Sequence, residues 1–145
     1  MKPRAAWPIL AKKAKEKCDQ AMAALVKGRE KIKNLEQSRS RMEALYADYL
    51  ARSIETEKKS LRMQETVNFR GFLQQIQTLI KRVDIDLQHA KFELDILKSN
   101  LLAAEKKRIQ METLQEQDER RIRDAAAKRE QREMDATGVM LFNMR

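Results

Sequence analysis

The chain contains few side chains of the kinds that catalyse reactions or bind metal ions. It has one histidine, His89, and one cysteine, Cys18, far apart in the sequence. Cys–His catalysis and metal coordination both require such groups in direct contact, together with further ligands or an orienting residue. We therefore expect no catalytic and no metal-binding residues. We interpret His89 as an exposed polar residue and Cys18 as a small buried apolar one.

The sequence also lacks a motif for nucleotide binding and a candidate general acid. The three glycines, Gly28, Gly71 and Gly138, are isolated, so no glycine-rich loop could hold phosphates. The carboxylates stand among lysines and arginines, with no apolar pocket predicted around any of them that would suit general acid catalysis. We therefore expect a protein that is not an enzyme and that has no cofactor.

The composition instead predicts long helices. Among 145 residues there are 3 Gly, 2 Pro and only 5% aromatic residues, whereas 37% are charged. Such a chain cannot fill a wide core, so its apolar residues must form narrow stripes on helices. One cysteine, no apolar run of about 20 residues and no signal peptide indicate a cytoplasmic protein without membrane insertion.

A heptad begins after Pro8, which suits the first turn of a helix. Its a and d positions are Ala11, Ala14, Cys18, Ala21, Leu25, Gly28, Ile32, Leu35, Arg39, Met42, Tyr46 and Tyr49. The seam then becomes polar at Ser53 and Thr56. These features predict a first helix over about residues 8–56 and a turn over about 57–64, within a wider uncertain range of 54–66.

A second heptad follows the predicted turn, with apolar a and d positions as far as Met111. Its seam runs through Phe69, Leu73, Ile76, Ile80, Val83, Leu87, Ala90, Leu94, Leu97, Leu101, Ala104, Arg108, Met111, Gln115, Asp118, Ile122 and Ala125. If the chain reverses near residue 60, the first helix begins opposite the point where this seam becomes polar. The coincidence favours an antiparallel hairpin within one chain over a parallel homodimer.

The predicted fold is therefore all-α: one coiled-coil domain over residues 1–145, a long antiparallel two-helix hairpin with a C-terminal single-helix extension. The second helix is predicted over about 65–137, unpaired from about 112, with Gly138 as its stop. The paired arms would be roughly 75 Å long at 1.5 Å per residue. The apolar tail, 138–145, is either a docking element or a segment that folds back.

Charge and exposed apolar residues indicate binding surfaces. Residues 1–41 carry a net charge of +8 and the rest of the chain +1. Basic residues of this arm that could attract acidic protein, nucleic acid or anionic lipid are Lys12, Lys13, Lys15, Lys17, Lys27, Arg29, Lys31 and Lys33. The arm lacks interleaved aromatic residues for stacking on bases, and no strongly apolar face accompanies its charges, so a protein partner is favoured.

Two sets of apolar residues lie outside the second seam. Ile85, Phe92 and Ile96 share one helical face, and Phe72 and Leu79 are seven residues apart beside the seam. Apolar stripes of this kind either form protein contacts or widen the core of the hairpin.

Two segments resemble a known family. Residues 68–80, Asn-Phe-Arg-Gly-Phe-Leu-Gln-Gln-Ile-Gln-Thr-Leu-Ile, resemble the start of the second helix in the FliJ family of flagellar type III export proteins. Residues 128–135, Lys-Arg-Glu-Gln-Arg-Glu-Met-Asp, are similar to its charged C-terminal end. The resemblance implies a hairpin that acts as central stalk of a hexameric export ATPase. Virulence secretion stalk proteins have the same shape and remain an alternative.

The resemblance also implies partners and contact residues. It implies contact with the cytoplasmic domain of the membrane export gate protein and with export chaperones, at the inner membrane of the flagellar base, without nucleic acid. The export-gate positions would be Phe72, Ile76 and Leu79, with Met42 and Tyr49, although Met42, Tyr49 and Ile76 are also seam positions. We assign ATPase-ring contact to Lys12, Lys13, Lys15, Lys17, Arg120, Arg121, Arg123, Lys128 and Arg129. Other possibilities are a basic coiled coil that binds nucleic acid or a membrane surface, and a plain structural dimer.

Overall fold

The computed structural model describes residues 6–59 and 63–144. These residues form two helices, α1 (Ala6–Lys58) and α2 (Met63–Asn143), and contain no strand. The all-α fold class predicted from the sequence is therefore confirmed. Its cause is local, because a chain rich in Ala, Leu, Glu, Lys, Arg and Gln pays little entropy in a helix and few residues interrupt it.

The ends of the helices differ from those predicted. Pro8 is the third residue of α1, where a missing N–H costs nothing. At the other end of the chain, α2 passes through Gly138 and continues to Asn143. The predicted stop at Gly138 and the separate tail are therefore replaced by continuous helix over the described residues. A glycine costs only about 1 kcal/mol within a helix and ends it only when the backbone turns left-handed, which Gly138 does not.

The predicted turn is only partly visible. The last described backbone bond of the first arm runs from the N–H of Lys59 to the carbonyl of Glu55, at 3.1 Å. Residues 60–62 of the predicted turn lie outside the described residues. Of the described residues of the predicted turn, Glu57 and Lys58 belong to α1, and Met63 and Gln64 belong to α2.

The chain divides into two compact units, to which both helices contribute. The first unit comprises the described residues of Met1–Ala21 and Asn100–Arg145. Here Ala11 and Ala14 form a buried cluster with Met111, against which Trp7 and Leu114 also pack. Small α1 residues let the backbone of one helix approach the side chains of the other closely.

The second unit comprises Met22–Ser99. Four polar pairs link its helices: Lys31 to Glu93 at 3.6 Å, Arg39 to Asp84, the amide of Gln77 to the hydroxyl of Tyr46 at 3.0 Å, and Arg70 to Glu57 at 3.9 Å. As the position along α1 increases, the position of the partner along α2 decreases. The helices of this unit are therefore antiparallel, as in the predicted hairpin.

The predicted seams are confirmed in both units, since each of their positions is buried or half-buried. The buried apolar residues are Ala11, Ala14, Cys18, Leu25, Ile76, Val83, Leu87, Ala90, Leu101 and Met111. No large side chain among the described residues is completely enclosed, because two helices cover each seam from one side only.

The unpaired part of α2 begins later than predicted. Leu114, Ile122 and Ala125 are still half-buried, whereas every described residue from 126 to 144 is exposed. Part of the difference comes from Trp7, which lies before the predicted seam and packs on the same cluster as Leu114.

Candidate partner-binding surfaces

The single histidine and cysteine are separated in the structure. His89 is exposed on the second unit, whereas Cys18 is a free, buried thiol in the first. Within residues 6–59 and 63–144, no three His, Cys, Asp or Glu side chains are grouped to hold a metal ion. No helix of the described chain has the length and apolar character to cross a membrane.

A polar contact interrupts the apolar seam of the second unit. Arg39 occupies a seam position, and its guanidinium pairs with Asp84 of α2 and with Glu43 of α1, the latter at 2.6 Å. The hydrogen bond to Asp84 and the two nearby carboxylates raise the pKa of Arg39 above its ordinary value. The head group therefore joins the two helices, a contact that the heptad position alone did not show.

A second arginine lies beside the buried thiol of the first unit. Arg108 donates to both oxygens of Glu112, at 3.2 and 3.1 Å. The bond to Glu112, then the contact with Cys18, raises the pKa of Arg108. Cys18 therefore lies on the seam beneath a charged group, as a packing residue.

Aromatic side chains cluster near the turn. The ring of Phe72 stacks on Tyr49 with centroids 5.4 Å apart and planes at 2°, and Phe69 meets the same tyrosine at 6.2 Å. The guanidinium of Arg52 lies 5.7 Å from the centre of the tyrosine ring. Phe72 is therefore both exposed to solvent and stacked on Tyr49. The heptad alone did not show this stacking.

The residues predicted to contact the export gate do not all reach the surface. Phe72 and Leu79 are 52% and 48% exposed, whereas Met42 and Tyr49 are half-buried. Ile76 is only 4% exposed and belongs to the core. Little of the Ile76 side chain is therefore open to a partner, and the assignment of these five residues to the export gate stays a prediction. The seam position of Ile76 had indicated this conflict.

The outer apolar stripe, Ile85, Phe92 and Ile96, points away from α1. The three side chains are exposed, Phe92 to 67%. They are not part of the buried core of the second unit, and their interpretation as a protein contact stays a prediction.

The residues assigned to the ATPase ring all lie in the first unit and all are exposed. On α2, Arg120 pairs with Glu116 at 3.1 Å and Arg129 with Glu133 at 3.6 Å. On α1, the four lysines at 12, 13, 15 and 17 have no carboxylate of the described chain within ion-pair distance. Two of the five assigned residues on α2 are therefore paired with carboxylates, and none of the four on α1.

One basic residue near this set was missed. Lys107 lies with Lys13 and Lys17 around a shallow groove whose other lining residues are Leu10, Ala14 and Met111. A reversal near residue 60 would place residue 17 opposite about residue 103, so the sequence located Lys107 only to within about one helical turn, and the register of the structure places it beside Lys17.

The fold and surfaces define a two-helix coiled coil, antiparallel in its second unit, with one cationic set and two apolar sets of exposed residues. A family model described as Flagellar FliJ protein matches residues 9–145, nearly the whole chain. The chain therefore belongs to the FliJ family of flagellar export proteins. No curated protein and no solved structure matches it.

Proposed function

We propose that this protein is the central stalk of the hexameric flagellar export ATPase and that it also binds the membrane export gate and export chaperones. Family membership supports the flagellar role. The observation that carries the finer proposal is the separation of surfaces: the basic set belongs to the first unit and the exposed apolar pair, Phe72 and Leu79, to the second. In this role ATP hydrolysis belongs to the ring, and the stalk itself catalyses nothing.

The ring contact is proposed from the charge of the first unit. Lysines without carboxylate partners attract acidic groups, and long-range attraction between opposite charges speeds and orients docking. An electrostatic contact also predicts that the affinity for the ring falls as ionic strength rises, because the Debye length shrinks from about 10 Å at 0.1 M salt to about 3 Å at 1 M.

The ring contact is tested by titrating the full chain into the purified ATPase ring at rising salt concentration. We expect the Kd to rise by about tenfold or more between about 0.05 and 0.3 M salt, as screening weakens the charge contacts. Binding that does not change with salt would refute an electrostatic ring contact.

The gate contact is proposed from the second unit. Phe72 and Leu79 are both about half exposed, at 52% and 48%, although the seam residues between them, Leu73 and Ile76, are half-buried and buried. Covering such surface with a partner gains about 25 cal/mol per Å² of apolar area. The proposed contact also places the protein peripherally at the inner membrane of the flagellar base.

The gate contact is tested by Leu79→Ala, measured as binding to the cytoplasmic domain of the gate protein. We expect binding about tenfold weaker, since a contact of about 1.4 kcal/mol is lost. Ile85→Ala is the matched control, because Ile85 is an aliphatic residue of similar exposure, 54%, on the same helix. Both variants should melt within a few degrees of the parent. Equal effects of the two substitutions on binding would contradict the assignment.

A further inference from the structure

The first unit contains a groove that combines an apolar floor with a cationic rim. Ala14 and Met111, which are 4% and 8% exposed, form the floor, and Leu10, at 40%, borders it. Lys13 and Lys17 come from α1 and Lys107 from α2, so both helices contribute to the rim. The floor belongs to the buried cluster of this unit and is therefore held in place by the fold.

The rim is electrostatically unbalanced. Lys13 and Lys17 lie one helical turn apart, a spacing at which like charges are unfavourable. Residues that flank a coiled-coil seam commonly pair with opposite charges across the helices, yet Lys17 and Lys107 are both cationic. No carboxylate in the described chain lies within ion-pair distance of the three lysines. An acidic partner would relieve this repulsion.

We propose that this lysine-rimmed groove (Leu10, Lys13, Ala14, Lys17, Lys107 and Met111) binds an acidic and apolar element of the ATPase ring. An apolar side chain of that element packs on the floor, and carboxylates beside it pair with the lysines. The inference rests on the proposed ring contact and deepens it. It adds Lys107 to the contact residues and separates the groove lysines from Lys12 and Lys15.

The apolar floor and the cationic rim together indicate which kind of partner the groove binds. Phosphates of nucleic acid would satisfy the lysines but leave the floor uncovered. An acidic protein segment with an apolar side chain uses both, since burying the floor adds hydrophobic contact to the charge pairs.

The test compares two double variants of the full chain that remove the same charge. Lys17→Gln/Lys107→Gln removes two of the three lysines of the groove rim, whereas Lys91→Gln/Lys98→Gln removes two exposed α2 lysines that are not assigned to the ring contact. Titrated into the purified ring at one salt concentration, the groove variant should bind about tenfold more weakly and the control less than about threefold. Leu10→Gln should also weaken binding, including at high salt, because it removes an apolar contact that salt does not screen.

The outcomes are distinguishable. If the parent chain does not bind the ring, the proposed stalk function fails. If the parent binds and both double variants lose affinity equally, the attraction depends on total charge and the groove proposal is overturned. Competition by duplex DNA that is abolished in the groove variant would also overturn it, in favour of a nucleic-acid partner. Thermal melting checks that each variant is folded; removing like charges should leave the melting temperature equal or higher.

Discussion

Gly28 sets how closely a side chain of α2 approaches α1 in the second unit. A methyl group added to its Cα would lie 2.9 Å from Cδ1 of Leu97 and 3.3 Å from Cδ1 of Leu94. An equivalent methyl group at Gly71 would meet no atom within 4 Å. The two glycines therefore have the same entropic cost in a helix but different surroundings, which separates backbone from packing effects.

Substitution of these glycines should reveal the difference. Gly71→Ala should raise the free energy of unfolding by about 0.5–1 kcal/mol, the usual gain for alanine in a helix. Gly28→Ala should gain less, since Leu97 must shift, and Gly28→Val should lose about 1–3 kcal/mol through overpacking. Urea unfolding followed by circular dichroism measures all three. Equal stabilisation by the two alanines would show that Leu97 does not constrain the contact.

The partners of Arg39 cannot be predicted from its heptad position alone. Its seam position alone predicts no partner for the charged head group, yet Asp84 and Glu43 both pair with it. A polar contact in a seam can select one register of pairing, since a shifted register leaves the charge without its partner.

At the scale of the element, α2 has two apolar faces with different roles. Leu87 on the seam is 7% exposed, whereas Phe92 on the outer stripe is 67% exposed. Both are large apolar residues five positions apart on the same helix. Only the first contributes to the stability of the hairpin, because only the first is removed from water on folding.

Truncation of these two side chains should therefore have very different effects. Leu87→Ala should lower the free energy of unfolding by about 2–3 kcal/mol through loss of buried contacts and the cavity left behind. Phe92→Ala should change it by less than about 0.5 kcal/mol, as for most exposed positions. Thermal melting of both variants measures this. A large loss for Phe92→Ala would mean that the outer stripe is covered in solution, for example by a second chain.

In the whole molecule, α1 and α2 pair with each other within one chain. The ion pair between Lys31 and Glu93 joins α1 and α2 of the same molecule at 3.6 Å. A parallel homodimer would instead place Lys31 beside Lys31 of its copy. The two arrangements predict different cross-links.

Cysteines at these positions should report the arrangement directly. In a Cys18→Ala background, Lys31→Cys/Glu93→Cys treated with a short bismaleimide at low protein concentration should give an internally cross-linked monomer, seen by mass. The matched control, Lys31→Cys alone, should give little cross-linked dimer. Efficient dimer formation by the single variant, without an internal link in the double variant, would contradict the hairpin.

Much of this protein was predictable from the sequence because helix periodicity is a local property. The two heptads depend on spacings of three and four residues, and every seam position they predicted is buried or half-buried. The same spacing placed Phe72 and Leu79 beside the seam but left open whether they widen the core, and the structure shows them about half exposed. No catalytic residues were predicted, because histidine and cysteine each occur only once in the sequence.

Contacts that depend on both helices at once were decided by the tertiary structure. Trp7 beside the Met111 cluster, Phe72 stacked on Tyr49 and Lys107 on the same groove as Lys17 each require a register between distant segments. The helix end also escaped prediction, because Gly138 favours a stop but does not impose one. Periodicity determined which face of each helix is buried; only pairing of the helices decided which side chains meet across the seam and which charges remain without a partner.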